Sequence, residues 1–294
     1  MNINELKDIF RKHGIHLTKE RGQNLLVDVN VLSRISDITV NNKDIYVFEI
    51  GAGTGNWTDY LAQRAHKVYA LEIDRKVFSI LGQRVEAIPN IEPIHGDILR
   101  FDLKGFFESH SQEDFVIAGN LPYSLSSPIL FRLIDLSRTQ PRSFPSGFFM
   151  VQWEVAQRMT APAGDPHYGR LGVMLAYSCQ VRIHRKVPRG CFYPVPRVDS
   201  AFVSLEFGRG VRQRPSDDPL FEQVVRAAFG QRRKQLRNSL AGVSVEGKSP
   251  GREGWEKVFE AAKVEGSLRA GAVSPEAFLR LTQALDSFKS SIGV

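Results

Sequence analysis

Asn120, Leu121, Pro122 and Tyr123 follow directly on the apolar run FVIAG, and SLSSPILFRLI follows them. An amide, a rigid proline and an aromatic ring thus stand where a strand stops and a helix starts. Strand tips are where open α/β sheets bind ligands. The plain alternative is a helix-start turn, N-x-P, with its tyrosine turned into the core. Three earlier motifs bear on the choice. EIGAGTG (49–55) closes the first clear strand, and its glycines at 51, 53 and 55 let the backbone turn sharply and approach a ligand closely. The nearest pattern is the dinucleotide fingerprint GxGxxG, whose sixth residue permits tight packing around a pyrophosphate. That position holds Asn56, which favours a ligand without a pyrophosphate. ALEID ends the next strand and places Glu72 about twenty residues past the glycines, the spacing of an acid that accepts ribose hydroxyls. Asp97, in GDIL at the end of a third strand, can accept from an adenine amine while a backbone N–H donates to a ring nitrogen. Alone, each acid is a solvated strand-end charge. Together at successive strand ends they describe a nucleoside site.

Parallel strands with helical crossovers are needed to bring such groups to one edge. IYVFEIG (45–51), KVYALEID (67–74), IEPIHGDIL (91–99), FVIAGNLPY (115–123) and the start of GFFMVQWEVAQRM (147–159) are strand-like, and helix-like segments separate most of them. This alternation predicts an α/β fold with a Rossmann-like, doubly wound, mostly parallel sheet. LGVMLAYSC predicts a further helix. QVRIHRKV and SAFVSLEF, separated by the proline-rich VPRGCFYPVPRVD, predict an antiparallel edge hairpin on the sheet. After Phe207, GRGVRQRPSDDP reads as a linker. Only helix patterns follow: DPLFEQVVRAAFG, RRKQLRNSLAG, GWEKVFEAAKV and SPEAFLRLTQALDSF, the last opened by a Ser N-cap and a Pro. The expected division is an α/β domain over residues 1–208, with a flexible N-terminal segment, and a smaller all-helical domain over 209–294.

The 294 residues carry 39 Lys and Arg against 32 Asp and Glu, a net +7 that suits a polyanionic partner without naming one. Arg232, Arg233, Lys234 and Arg237 cluster in GQRRKQLRNSL with no acid nearby. On a helix, Arg233 and Arg237 would share a face, and such groups neutralise phosphates. The plain alternative is a solvated surface. RIHRKVPR (182–189) is a second basic stretch. Two cysteines without a CxxC or Cys/His cluster argue against structural zinc and a disulfide framework. The N-terminus has no apolar signal core, Glu5 and Asp8 argue against a transit peptide, and no apolar run is long enough to span a bilayer. The expectation is a soluble protein of a reducing compartment.

GxGxG after an acidic strand residue resembles the S-adenosylmethionine site of class I methyltransferases. NLPY has the form those enzymes carry when they methylate an exocyclic adenine amine. The amine lone pair is delocalised into the purine ring and is a poor nucleophile. Two acceptors, the Asn120 side-chain oxygen and the Leu121 carbonyl, would hold its two N–H groups and aim the lone pair at the methyl. Pro122 would fix the backbone, and Tyr123 would offer a ring for the flipped base.

More specifically, GQNLL, EIGAGTG, LEID, GDIL, GNLPYSLSSP, YGRLGVML, FYPVPRVDSAFVSL and FGQRRKQLRNSL occur in the order found in the small-subunit ribosomal RNA adenine dimethyltransferases of bacteria. The resemblance runs from about residue 16 to about 285. It implies an S-adenosylmethionine-dependent enzyme that converts two adjacent adenosines near the 3′ end of small-subunit rRNA to N6,N6-dimethyladenosine, within an immature 30S particle. A cytoplasmic monomer is the matching expectation. By the resemblance, Asn24 and Leu26 would close over the methionine end of the cofactor, with Gly51 and Gly53 beneath it. Glu72 would take the ribose and Asp97 the adenine amine, while Asn120 would lie between cofactor and target. Phe192 would sandwich the target adenine against Tyr123, with Tyr193 the neighbouring aromatic of that loop. The 209–294 domain would contact rRNA.

Arg21 and Leu25 stand where the family has aromatics, so no stacking role is assigned to them. Gly271 stands where the family often has Glu, and nothing functional attaches to it. Two other functions compete. Large-subunit rRNA methyltransferases of the antibiotic-resistance type usually carry Ile at the position of Leu121 and lack the QRRKQLRNSL block. A non-catalytic RNA-binding assembly factor would not need Gly51, Glu72, Asp97 and Asn120 together. A nicotinamide dehydrogenase is disfavoured by Asn56 and by the lack of a hydride-transfer acid/base set.

Overall fold

The computed structural model describes residues 3–14, 24–139, 144–210 and 218–291. Arg21 with the rest of 15–23, where the sequence predicts a flexible N-terminal segment, and most of the expected linker, 211–217, lie outside the described residues. In chain order the elements are α1 (Ile3–Lys12), β1 (Leu25–Leu26), α2 (Val29–Thr39), β2 (Tyr46–Ile50), α3 (Thr58–Ala62), β3 (Lys67–Glu72), α4 (Arg75–Val85), β4 (Ile91–His95), α5 (Leu103–Ser109), β5 (Phe115–Asn120) and α6 (Ser126–Thr139). They continue with β6 (Ser146–Gln152), α7 (Trp153–Thr160), α8 (Arg170–Ser178), β7 (Cys179–Val187), β8 (Phe192–Tyr193), β9 (Ser200–Phe207), α9 (Asp218–Gly230), α10 (Leu236–Ser239), α11 (Gly251–Ala262) and α12 (Pro275–Ser291).

Seven strands form one sheet in the order β4-β3-β2-β5-β6-β9-β7. β2, β3, β4, β5 and β6 pair in parallel, and β9 runs antiparallel to β6, from Ser146↔Glu206 to Gln152↔Ser200. The central strands are covered on both faces. They therefore read as continuous apolar runs rather than alternating ones: Val47, Phe48 and Ile50 of β2 and Ile117 and Ala118 of β5 are all buried. β2 has β3 on one side and β5 on the other, so the connections run in opposite directions from it. This reversal opens a crevice beyond the carboxyl ends of β2 and β5. Asp28 caps α2 by accepting from the Asn30 and Val31 amides, and Asp74 caps α4 in the same way.

A two-residue ribbon has no counterpart in the sequence patterns. β1 pairs antiparallel with β8, Leu25 opposite Tyr193 and Leu26 opposite Phe192. The Cys191 carbonyl then accepts from the Val27 and Asp28 amides. The N-terminal segment is thereby tied to the FYPVPRVDS loop.

The chain forms two compact units, residues 1–156 with 181–208, and residues 157–180 with 209–294. A single cut at 208/209 does not describe this grouping, because 157–180 is bound to the C-terminal helices. The Tyr168 hydroxyl donates to the Val273 carbonyl at 2.7 Å, Arg170 pairs with Glu222 at 2.6 Å, and the Tyr177 and Phe221 rings lie 4.7 Å apart.

RRKQLRNSLAG does not form the expected helix. Residues 231–234 form a turn, and only Leu236–Ser239 is helical. The Leu236 amide donates to the Leu268 carbonyl and the Arg237 amide to the Gly266 carbonyl. Pairing with 266–269 replaces an extended i to i−4 ladder, so Arg233 and Arg237 do not share a helical face. No helix among the described residues is long and apolar enough to cross a membrane.

Candidate cofactor and target-base site

The turn after β2 is shaped by backbone geometry. Gly51 and Gly53 have φ of +71° and +61°, values that L side chains rarely adopt. At Gly51 space is not limiting, since an added Cβ would lie 3.9 Å from the Asn120 carbonyl oxygen. At Gly53 it is: an added Cβ would come within 2.6 Å of a Leu25 methyl, so the strap at 24–26 rests directly on the turn. Arg84 holds the turn from outside, donating to the Thr54 carbonyl and pairing with Asp59.

Two acids lie under this turn. Glu72, 5% exposed, accepts from the Gly53 amide at 2.9 Å through one oxygen and from the Asp74 amide at 2.8 Å through the other. Burial pushes its carboxyl above the ordinary range, and these amides pull it partly back. Glu49, 2% exposed, accepts from the Thr58 hydroxyl at 2.6 Å. Burial raises its pKa to about 8, against the opposing effect of the Thr58 bond. Asp97 is half-buried beyond β4. Its side chain accepts from the Leu99 amide at 2.9 Å, which organises the turn that presents it. Carboxylates at a glycine turn disfavour a pyrophosphate and fit a nucleoside that carries a positive centre.

The NLPY residues are arranged by their neighbours. The Asn120 side-chain nitrogen donates to the Asn24 carbonyl at 2.6 Å. No described residue donates to its side-chain oxygen. Leu121 is buried and its amide donates to the Met150 carbonyl at 3.1 Å, while no described residue donates to its own carbonyl. The Pro122 carbonyl accepts from the Leu125 amide and the Ser126 hydroxyl, which starts α6. The Tyr123 hydroxyl bonds to the Ser200 hydroxyl at 2.9 Å, and burial raises its pKa. Tyr123 is therefore not turned wholly into the core, and its ring is held from the β9 side.

The structure brings Asn24 to Asn120, Leu25 to Gly53, Gly53 to Glu72, and Leu26 to Asn56. It does not leave Phe192 open. That ring is 1% exposed and belongs to a core cluster with Leu26, Trp57, Met150 and Phe202. It presents no free face in this conformation. Tyr193 is partly exposed, with the Lys7 ammonium 5.4 Å from its ring centre. In the helical unit, Arg232 donates to the Pro166 and Tyr168 carbonyls, whereas Arg233, Lys234 and Arg237 are exposed.

Three residues escape sequence reasoning. Asn56, legible only as a missing glycine, is 4% exposed and donates to the Leu26 carbonyl at 3.1 Å. Ser200 carries no signal as the partner of Tyr123. Glu49 is visible only as the acid of the glycine motif, and its proton follows from burial.

A mostly parallel seven-stranded sheet ending in antiparallel β9, with a glycine turn after β2 and an acid after β3, is the class I methyltransferase fold. Residues 15–286 match the model of the family described as ribosomal RNA adenine dimethylase. The chain is 36% identical over 290 residues to ribosomal RNA small subunit methyltransferase A of Bacillus mycoides, covering 98% of each protein, and equally so to that of Bacillus cereus strain B4264. Among solved structures it is similar to a dimethyladenosine transferase from Plasmodium falciparum, with a TM-score of 0.73, 27% identity, and 90% and 98% of the two chains covered. It is also similar to the 23S rRNA methyltransferase ErmE, with a TM-score of 0.64, 28% identity, and 90% and 100% covered. The chain belongs to the ribosomal RNA adenine dimethylase family, whose members are S-adenosylmethionine-dependent methyltransferases.

Proposed function

We propose that this enzyme dimethylates the N6 amines of two adjacent adenosines near the 3′ end of small-subunit rRNA, within an immature 30S particle. That substrate places the reaction in the cytoplasm, and a monomer suffices for it. One observation carries the assignment of the target group. The Asn120 nitrogen is taken by the Asn24 carbonyl, which leaves its oxygen to accept, and no described residue donates to the carbonyl of the next residue, Leu121. An exocyclic amine has two N–H groups to give them. Bound S-adenosylmethionine supplies a sulfonium methyl as electrophile. Glu72 would hold its ribose, Asp97 its adenine amine, and the strap of Asn24 and Leu26 with Gly51 and Gly53 its methionine end. The amine would pyramidalise between the two acceptors, with its lone pair directed at the methyl. Methylation makes that nitrogen acidic, so its proton leaves to water without a general base. Tyr123, braced by Ser200, would stack on the base. Phe192 would complete the sandwich only once its ring is uncovered.

Incubation with labelled S-adenosylmethionine and unmethylated small or large subunits, followed by mapping of the modified base, tests this. Two adjacent labelled adenosines in small-subunit rRNA are expected. Label confined to large-subunit rRNA would favour the ErmE-like reading, and none in either would favour a binding protein. The 36% identity over 98% of a small-subunit methyltransferase supports the first outcome.

The helical unit would contact rRNA through Arg233, Lys234 and Arg237. Replacing these three should lower the slope of log affinity against log salt by about 3, one for each phosphate no longer neutralised. An unchanged slope returns them to ordinary surface. Arg232 would reach phosphate only with the donors left over from its two carbonyls. Arg232→Ala is therefore expected to lower the melting temperature as well as affinity.

A further inference from the structure

The two side-chain atoms of Asn120 are not equivalent, and the protein has a device that distinguishes them. We infer that the Asn24 main-chain carbonyl, held in register by Asn56, selects the orientation of the Asn120 amide, making Asn56 a positioning residue for methyl transfer. The inference rests on the proposed reaction for its meaning but on separate observations for its geometry.

The linkage starts at the glycine turn. The Asn56 side-chain nitrogen donates to the Leu26 carbonyl at 3.1 Å, and its oxygen accepts from the Thr54 hydroxyl at 3.4 Å, which sets Asn56's own orientation. The residue is buried, so neither bond is readily exchanged for water. Leu26 is also paired with Phe192 across the ribbon. With Leu26 held on both sides, the carbonyl two residues earlier, at Asn24, is carried to within 2.6 Å of the Asn120 side-chain nitrogen.

At that separation only a donor is acceptable. A flipped amide would set its oxygen against the Asn24 oxygen and turn its N–H groups toward the amine's own N–H groups. The wrong orientation loses twice. The position therefore demands one donor and one acceptor, which asparagine supplies and an ionised carboxylate does not. A carboxylate would offer an acceptor to the amine, but its second oxygen would face the Asn24 carbonyl. A protonated carboxyl would again fit, its hydroxyl donating to Asn24 and its other oxygen accepting from the amine. The group hydrogen-bonded to the Asn120 side chain is the Asn24 backbone carbonyl, which is not ionisable, and the Asn120 backbone pairs with Met150 of β6. Glu49 and Glu72 of the adjoining turn, and Tyr123 three residues on, are common to variant and parent.

Asn120→Asp is the deciding variant. Its kcat relative to the parent, measured from about pH 5.5 to 8.5, should rise about tenfold for each pH unit of acidification above the introduced carboxyl's own pKa and level off below it, the profile of one required proton. A ratio that does not change with pH overturns the inference. Infrared difference spectroscopy of the carboxylic-acid stretch gives a second readout without turnover. The introduced carboxyl should titrate at least about two units above aspartate's ordinary value of about 3.9, and titration near that value overturns the inference. Failure of the parent to methylate would instead remove the proposed function, and the infrared titration would still decide the geometry. Asn56→Ala tests the other end. A fall in kcat of about tenfold, the order of one misplaced hydrogen bond, is expected with unchanged rRNA affinity. A rise in the KM for S-adenosylmethionine alone, with kcat intact, would reduce Asn56 to a cofactor-loop brace and overturn its positioning role.

Discussion

Asn120→Ala is expected to lower kcat for methyl transfer by about 10²- to 10³-fold, the effect of removing one preorganised group that acts on the developing transition state. Its affinity for rRNA should stay within about threefold of the parent, because phosphate contacts dominate that affinity. The substitution removes both the acceptor proposed for the amine and the donor to Asn24. The KM for S-adenosylmethionine should therefore rise a few-fold as the strap at 24–26 loses an anchor, while the effect on kcat remains larger. Single-turnover methylation with saturating cofactor separates the two. A kcat within about threefold of the parent would mean that the amine is not oriented by this side chain.

The second large effect concerns stability. Glu49 is buried in β2, and its folded pKa is about 8 against 4.5 for an ordinary glutamate. Between these values the folded chain holds a proton that the unfolded chain has released. Stability from this group is thus fully present below about pH 4.5 and is lost as pH rises toward 8. The span corresponds to an upper limit of about 5 kcal/mol, which relaxation around the charged form reduces. Glu49→Gln keeps the shape and an acceptor for Thr58 but has no charge to bury. The variant should match the parent within about 1 kcal/mol near pH 5 and exceed it by about 2–4 kcal/mol near pH 8.5. Its melting temperature should change less across that interval. Denaturation measured at both pH values checks this, and parallel curves for the two proteins would show that Glu49 is ionised in the folded state at neutral pH.

Much of the framework is legible in the residues. β2, β3 and β5 are largely apolar runs because both sheet faces are covered, and β3 and β5 end in Glu72 and Asn120, polar residues placed at the strand tip. Gly53 reads as a close-approach position from the motif alone, and the Leu25 methyl lies against it in the fold. The β1–β8 ribbon cannot be read in the same way. Two residues give no periodicity, and their partners lie more than 160 positions away. Arg232 cannot be told from Arg233 or Lys234, since the two carbonyls it serves come from a segment some 64 residues earlier. Helical spacing misleads over 231–237 because 231–234 turn and 235–237 pair through their backbone with 266–269.

The residue types at the strand ends pointed to a nucleoside ligand, and the order of the glycine, acid and NLPY motifs carried the resemblance to the family whose model the chain matches. Tertiary structure alone decided the orientation of the Asn120 amide, the proton on Glu49, the cover over Phe192 and the grouping of 157–180 with the C-terminal helices. Each depends on which distant backbone atom or apolar surface comes to lie against a side chain. Hydrogen-bond direction and desolvation act only at such close range, and those neighbours come together only in the folded chain.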